Sequence, residues 1–205
     1  MRRNRDGLQV REEGDEVLTT SQLALCVGRK PVDVEAYVDD FNEELVWYDI
    51  DTPRRMAAFL AQVGHESGGL RYRAELASGN AYTNREDLGN TKPEAVALAR
   101  AHDQDTGPFY KGHGFIQITG YSNHLAYSIA AYKDNRCVVK PVLLTLPPDC
   151  VGSACWFWNS RKLSALADKG TTDSFKAITQ RINGGYNGLD DRVKRWEICK
   201  KVLGN

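Results

Sequence analysis

Apolar residues along this chain recur mainly at helical spacing. The first run, LALC, begins near Thr20. After Pro31, the residues Val34, Val38, Phe41 and Leu45 recur every three to four positions, which predicts a second helix. Its other face, with Asp33, Glu35, Asp39, Asp40, Glu43 and Glu44, reads as a solvated acidic surface. Thr52 and Pro53 supply a hydroxyl cap and a proline at the first helical position, and the helix they start is expected to stop at about Ser67, before Gly68 and Gly69. Further helices are expected over 93–102, 121–132, 151–168 and 173–182. A last one should be capped by Asp190 or Asp191 and carry Val193, Trp196 and Lys200. Residues 78–114 otherwise read as loop with room for a short hairpin, and Gly112 to Gly120 as an extended segment. The expected fold is mainly α, with little strand.

The helix from Pro53 carries an anomaly. Advancing 100° per residue puts Met56, Phe59, Leu60 and Val63 on one buried face. Glu66 follows Phe59 by two turns and leaves the helix about 20° away from it, on the apolar side. Desolvation and the negative end of the helix dipole should both favour its protonated form, which suits a general acid. The competing reading is a carboxylate paired with an interior arginine, with Arg54, Arg55 and Arg192 as candidates. His65 beside it reads as a hydrogen-bonded helix-end histidine.

Composition narrows the partners. At 205 residues, 41% hydrophobic and 26% charged, the chain suits one globular domain, expected over 19–205 after a poorly ordered arm at 1–18. Twenty-seven basic residues balance 27 acidic ones, which removes the usual electrostatic argument for a nucleic-acid or membrane-surface binder. No stretch reaches the ~20 apolar residues of a membrane span. The basic cluster MRRNR has no apolar run behind it, so a secretory signal peptide is not expected and the chain reads as made in the cytoplasm. Nothing calls for more than a monomer. Five cysteines (Cys26, Cys137, Cys150, Cys155 and Cys199) lack metal-site spacing and read as buried thiols, with one bridge among Cys137, Cys150 and Cys155 left open.

Two catalytic motifs fail. A zincin would need histidine where Gly69 stands, and a serine nucleophile elbow would need glycine where His65 stands, so neither metal nor cofactor is expected. Glycoside hydrolysis instead takes two carboxylates, some 6.5–9.5 Å apart when configuration inverts. Glu75, past the glycine break, is the nearest partner for Glu66; Glu86 and Asp87 are weaker competitors. Gln117, Thr119 and Asn123 could position water or sugar hydroxyls. Tyr186 and the aromatics of CWFWN could stack on sugars, and of Trp156 and Trp158 one is expected to leave the core for a groove.

Taken together, AAFLAQVGHESGG, ELASGNAYTNREDLGNT, FYKGHGFIQITGYSN and QRINGGYNGLDDR resemble the signature blocks of glycoside hydrolase family 19, in its bacterial and phage branch of chitinases and endolysins. The resemblance covers roughly residues 50 to 203. It implies a lysozyme-like helical fold with two lobes flanking a saccharide groove, and an inverting mechanism. By matching positions it implies Glu66 as general acid and Glu75 as general base. It also implies Thr119 beside them, where plant members carry serine, with Gln117, Asn123 and Asn183 as substrate and water contacts. Arg192 or Arg195 falls on a late arginine near the acid, and Tyr82, Tyr186 and His65 complete the expected groove residues. His113 departs from the arginine usual at its position, and 93–107 looks inserted.

The expected activity is hydrolysis of β-1,4 bonds in peptidoglycan strands, in the manner of an endolysin released by a holin or a dedicated secretion route. Chitin is the alternative substrate, and an inactive saccharide-binding protein the third reading.

Overall fold

The computed structural model describes residues 17–204; the arm expected at 1–18 falls largely outside them. Leu18 is fully buried, and its backbone N–H and carbonyl both bond the Asn42 side chain at 2.9 Å. α1 (Thr20–Val27) begins in a reciprocal cap between Thr19 and Gln22 and ends at Gly28, in the left-handed region at φ 70°. The expected second helix is broken into α2 (Pro31–Val34), a 3₁₀ turn (Glu35–Tyr37) and α3 (Val38–Trp47). Of its apolar residues Val34, Phe41 and Leu45 are buried and Val38 is half-buried; Glu44, on the face expected to be solvated, is buried as well. The Glu44 carboxylate lies where a Cβ on Gly152 would come within 3.1 Å of it.

α4 (Pro53–Glu66) carries the Thr52–Pro53 start and is buried from Met56 through Gly64. Its pattern predicts one buried stripe. The structure buries the other sides too, because Ala57, Ala58, Ala61 and Gly64 present almost no bulk there. A Cβ at Gly64 would lie 3.2 Å from Val27 Cα and 3.4 Å from Arg195 Nη1, so the helix is wrapped closely.

The region expected as loop holds 3₁₀ turns at Asn80–Tyr82 and Glu86–Leu88, then α5 (Pro93–Arg100) and α6 (Thr106–Phe109). α7 (Tyr121–Tyr132) and α8 (Arg136–Val139) follow, then a 3₁₀ turn at Pro141–Thr145. α9 (Asp149–Ser160) and α10 (Ser164–Ala167) replace the single helix expected over 151–168. The break falls at Lys162, whose φ is 53°. α11 (Thr172–Asn183) is capped by Thr171, and α12 (Leu189–Val202) starts at Gly188 without a side-chain cap, contrary to the role expected of Asp190 or Asp191.

Gly112 to Gly120 is not a straight extended segment. His113 pairs antiparallel with Ala74 and with Ile118, so the chain doubles back in a minimal hairpin, with Gln117 in the left-handed region at φ 57°. Phe115 drops into the main core and stacks on Phe41.

Two apolar clusters organise the domain. The larger joins α1, α3, α4, α9, α11 and α12; the smaller gathers Ala95, Ala99, Phe109, Tyr110, Tyr121 and Val138 from α5 to α8. The architecture is the helical, two-lobed one expected. All five cysteines are buried thiols outside any disulfide, so no bridge joins Cys137, Cys150 or Cys155. Trp158 is fully buried, whereas Trp156 is half-buried against Tyr127 and the main core.

Candidate active site

Glu66 leaves the last turn of α4 with its side chain 20% exposed. Its Oε1 accepts a hydrogen bond from Arg192 Nη2 at 2.5 Å. Arg192 is buried, and its other donors are also engaged: Nη1 with Gln62 Oε1 at 2.5 Å, Nε with the Asn187 carbonyl at 3.2 Å. Gln62, one turn before Glu66, donates in turn to the Thr179 hydroxyl of α11 at 2.8 Å. A cation withdrawn from water needs its donors satisfied, and this chain of side chains satisfies them while tying α4, α11 and α12 together. Arg54 and Arg55 turn instead to Asp168, so the interior partner is Arg192. Arg195 serves elsewhere, bonding Asp191 and the Val27 carbonyl. Glu66 is thus paired with an interior arginine.

His65 Nδ1 lies 2.7 Å from Asp191 Oδ2, bracing α4 against α12. Burial pulls the Asp191 carboxyl upward, but its bonds to Arg195 and His65 prevail and hold it below the usual range. The His65 ring fills the space a Cβ on Gly188 would take, at 2.2 Å. The glycines after Glu66 have a definite use as well. A Cβ on Gly69 would sit 2.8 Å from the Val27 carbonyl, so the chain can turn past the end of α1 only without one.

Glu75 is held differently. Its Oε1 accepts from the Tyr82 hydroxyl at 3.0 Å and its Oε2 from the Gly112 N–H at 3.1 Å, while its own N–H donates to the Gly112 carbonyl at 2.8 Å. Both oxygens therefore face donors. Burial, then the bond and the charge of Glu75, push the Tyr82 hydroxyl above its usual range. Glu86 and Asp87 are exposed, and Asp87 is paired with Arg85.

Gln117 lies over the same spot, since a Cβ on Gly112 would come within 2.7 Å of its Oε1. Its Nε2 donates to the Gly114 carbonyl at 2.8 Å, which fixes the amide orientation and leaves Oε1 buried without a partner. The Thr119 hydroxyl donates to the Gln117 carbonyl at 3.0 Å, and Asn123 Nδ2 to the Thr119 carbonyl at 2.7 Å. The last two thus shape the hairpin that presents Gln117. Asn183, at the end of α11, has a buried and unpartnered Nδ2, and Tyr186 beyond it is 53% exposed. The site residues fall into two groups, one around Glu66 and Arg192, one around Glu75 and Gln117.

Behind the hairpin lie two histidines that the sequence reading did not connect. His124 Nδ1 is 2.8 Å from the Gly120 carbonyl, and its Nε2 is 3.1 Å from His113 Nδ1. The carbonyl accepts only, so His124 Nδ1 carries its proton, Nε2 accepts, and His113 Nδ1 donates. Burial keeps both rings neutral near pH 7. Burial, with His124 and Lys111 nearby, pushes His113 down to about 3, and burial pushes His124 down to about 4. Gln62, also not singled out, had one signal: it is the lone polar side chain in the run 56–64.

No family model matches the chain. A glycosyl hydrolase family 19 domain-containing protein of Haemophilus influenzae is 33% identical over 161 residues, covering 68% of this chain and 76% of that protein. An endochitinase of Arabidopsis thaliana is 32% identical over 160 residues, covering 73% of this chain; the chain spans only 48% of that plant protein. Among solved structures, chitinase C from Streptomyces griseus superposes with a TM-score of 0.70 at 24% identity, over 94% of this chain and 78% of that one. A bacterial family 19 chitinase gives 0.69 at 22% identity, over 92% and 95%. The two superpositions show a shared fold, and the Haemophilus relative carries the kinship. This chain belongs to glycosyl hydrolase family 19 and is a glycoside hydrolase with that family's lysozyme-like helical fold.

Proposed function

We propose that the enzyme hydrolyses β-1,4 bonds in the glycan strands of peptidoglycan, with Glu66 as general acid and Glu75 as general base. The observation that carries this reading is the pair of acceptors at the base: the Glu75 carboxyl group held by two donors, and the unpartnered Oε1 of Gln117 beside its anchor. A water donating one hydrogen to each has its lone pair directed away from both, toward a sugar carbon in the groove. Glu75 takes the water's proton as the bond to that carbon forms. Thr119 and Asn123 act through the hairpin, keeping Gln117 in place.

On the other side, Arg192 occupies Oε1 of Glu66, so the transferable proton sits on Oε2. When it passes to the glycosidic oxygen, Arg192 stabilises the carboxylate left behind. Asn183 and Tyr186 lie on this side for contact with the sugars, while Tyr82 orients Glu75 and His65 braces the acid's helix. Attack by water opposite the leaving oxygen inverts the anomeric centre. The enzyme meets this substrate in the cell wall, reached through a holin or a dedicated secretion route; among the described residues no helix is long and apolar enough to cross a membrane.

Chitin is the second reading, favoured by the endochitinase and chitinase names of the relatives. It too is β-1,4 linked and built of N-acetylated sugars, so the carboxylates do not discriminate. An inactive saccharide-binding protein is disfavoured by the presence of both carboxylates. Purified peptidoglycan and colloidal chitin, digested side by side, decide. Reducing ends on N-acetylmuramic acid and a first-formed α anomer by NMR are expected. Clearing of chitin alone would move the assignment to the second reading, and a β anomer would remove the inverting mechanism.

A further inference from the structure

A second cavity, of about 510 Å³, opens beside the loop of the general base. Ser78, Lys111, His113, Phe109, Lys140 and Val142 are among the residues that line it. Its connection to the site is direct. Lys111 precedes Gly112, whose N–H holds Glu75, and the stem of Lys111 lies where a Cβ on Gly79 would come within 2.8 Å. The segment that looks like an insertion contributes Gln104 to the wall, so the extra chain shapes this cavity.

The lining has a definite chemistry. It contains two lysines and neither aspartate nor glutamate. Lys111 Nζ reaches only the Ala77 carbonyl, at 3.4 Å, and neither ammonium forms an ion pair among the described residues. His113 adds no charge, because burial holds its ring in the neutral form. Between the cations lies apolar surface, with Val139 and Val142 left 41% and 48% exposed. Unpaired positive charge around an apolar hollow fits a ligand with carboxylates on a short aliphatic frame.

We propose that this cavity binds the acidic stem peptide that peptidoglycan carries and chitin lacks; the inference rests on the peptidoglycan reading for its substrate. The peptide is joined through a lactyl ether to the muramic sugar, so a glycan lying against Glu75 brings it to the cavity mouth. Lys140 and Lys111 meet its carboxylates, and the valines and Phe109 meet its alanyl methyls. The cavity thereby selects between two polymers that the acid and base treat alike.

The test uses the intact enzyme and a free acidic stem tripeptide, with the same peptide amidated at its carboxylates as control. Binding followed by NMR or calorimetry is expected for the acidic peptide, weakened about tenfold by amidation and about three- to tenfold by Lys140→Glu. Lys140 is exposed, so this substitution leaves the core untouched. On intact peptidoglycan, Lys140→Glu should raise KM by a similar factor at constant kcat, and leave turnover of chito-oligosaccharides unchanged. Equal binding of the acidic and amidated peptides, or of wild type and Lys140→Glu, overturns the inference even if peptidoglycan is cleaved. Binding with these differences but without cleavage of peptidoglycan supports the cavity assignment and removes the substrate reading instead.

Discussion

The two candidate catalytic carboxylates sit on opposite kinds of scaffold. Glu66 ends a buried helix, and its partner Arg192 comes from 126 residues later in the chain. Glu75 lies in irregular chain and is held by Tyr82, seven residues on, and by the Gly112 backbone 37 residues on. The acid half is therefore part of the larger core, whereas the base half is a local cradle. Disturbing the first should cost much stability together with activity; disturbing the second should cost activity with little stability.

The largest effect expected is on turnover. Glu66→Gln and Glu75→Gln should each lower kcat by about 10²–10⁴-fold, the usual worth of a positioned acid or base. Retained turnover in either folded variant removes that residue from its role, and for Glu75 would bring Glu86 or Asp87 back into consideration.

Arg192→Met comes next. It strands Gln62 and leaves Glu66, one-fifth exposed, without its cation, so unfolding free energy should fall by about 2–4 kcal/mol, somewhat less than for a fully buried pair. A urea midpoint close to that of wild type would show that the acid half is not the structural one.

The halves should also part with pH. His113 and His124 have folded values depressed to about 3 and about 4, below the unfolded value of 6.5. Their contribution is complete above about pH 6.5 and is lost as pH falls toward 4, because the unfolded chain binds the protons first. Asp191, on the acid side, is also depressed, so its contribution persists down to its unfolded value of 3.8 and is lost only below that. Melting temperature measured from pH 7 to 3 should thus decline first through the hairpin, and His113→Gln should flatten the decline between 6.5 and 4. A decline confined to pH below 4 would contradict this ordering.

Tyr82→Phe should be the mildest change. It removes one hydrogen bond to Glu75, lowering kcat by about tenfold or less and stability by about 0.5–1.5 kcal/mol. A loss of stability as large as that of Arg192→Met would erase the contrast between the halves.

Much of this site could be read from residue order, and the unread parts share a cause. The direction of Glu66 followed from helical period, since seven residues make nearly two turns whatever surrounds them. The close approach at Gly69 was likewise suggested by its residue type. The burial of every side of α4 was not legible, because the apolar stripe shows only one face and the neighbours that cover the rest come from distant chain. The hairpin at 113–118 was misread as straight chain because a left-handed glutamine at 117 is a conformation no local preference announces. Glu44 was misplaced for a similar reason: its burial depends on α9, more than a hundred residues away in sequence.

Local periodicity and capping by themselves determined the helical class, the start and stop of α4, and the side from which Glu66 emerges. Those are properties of a few neighbouring residues, set by backbone geometry. Tertiary structure alone decided that Arg192 rather than Arg54, Arg55 or Arg195 meets the acid, that His113 and His124 stay neutral, and that Gln117 keeps one oxygen free beside Glu75. Each of these depends on charges or donors brought together across long stretches of chain, where burial strengthens every match and penalises every omission.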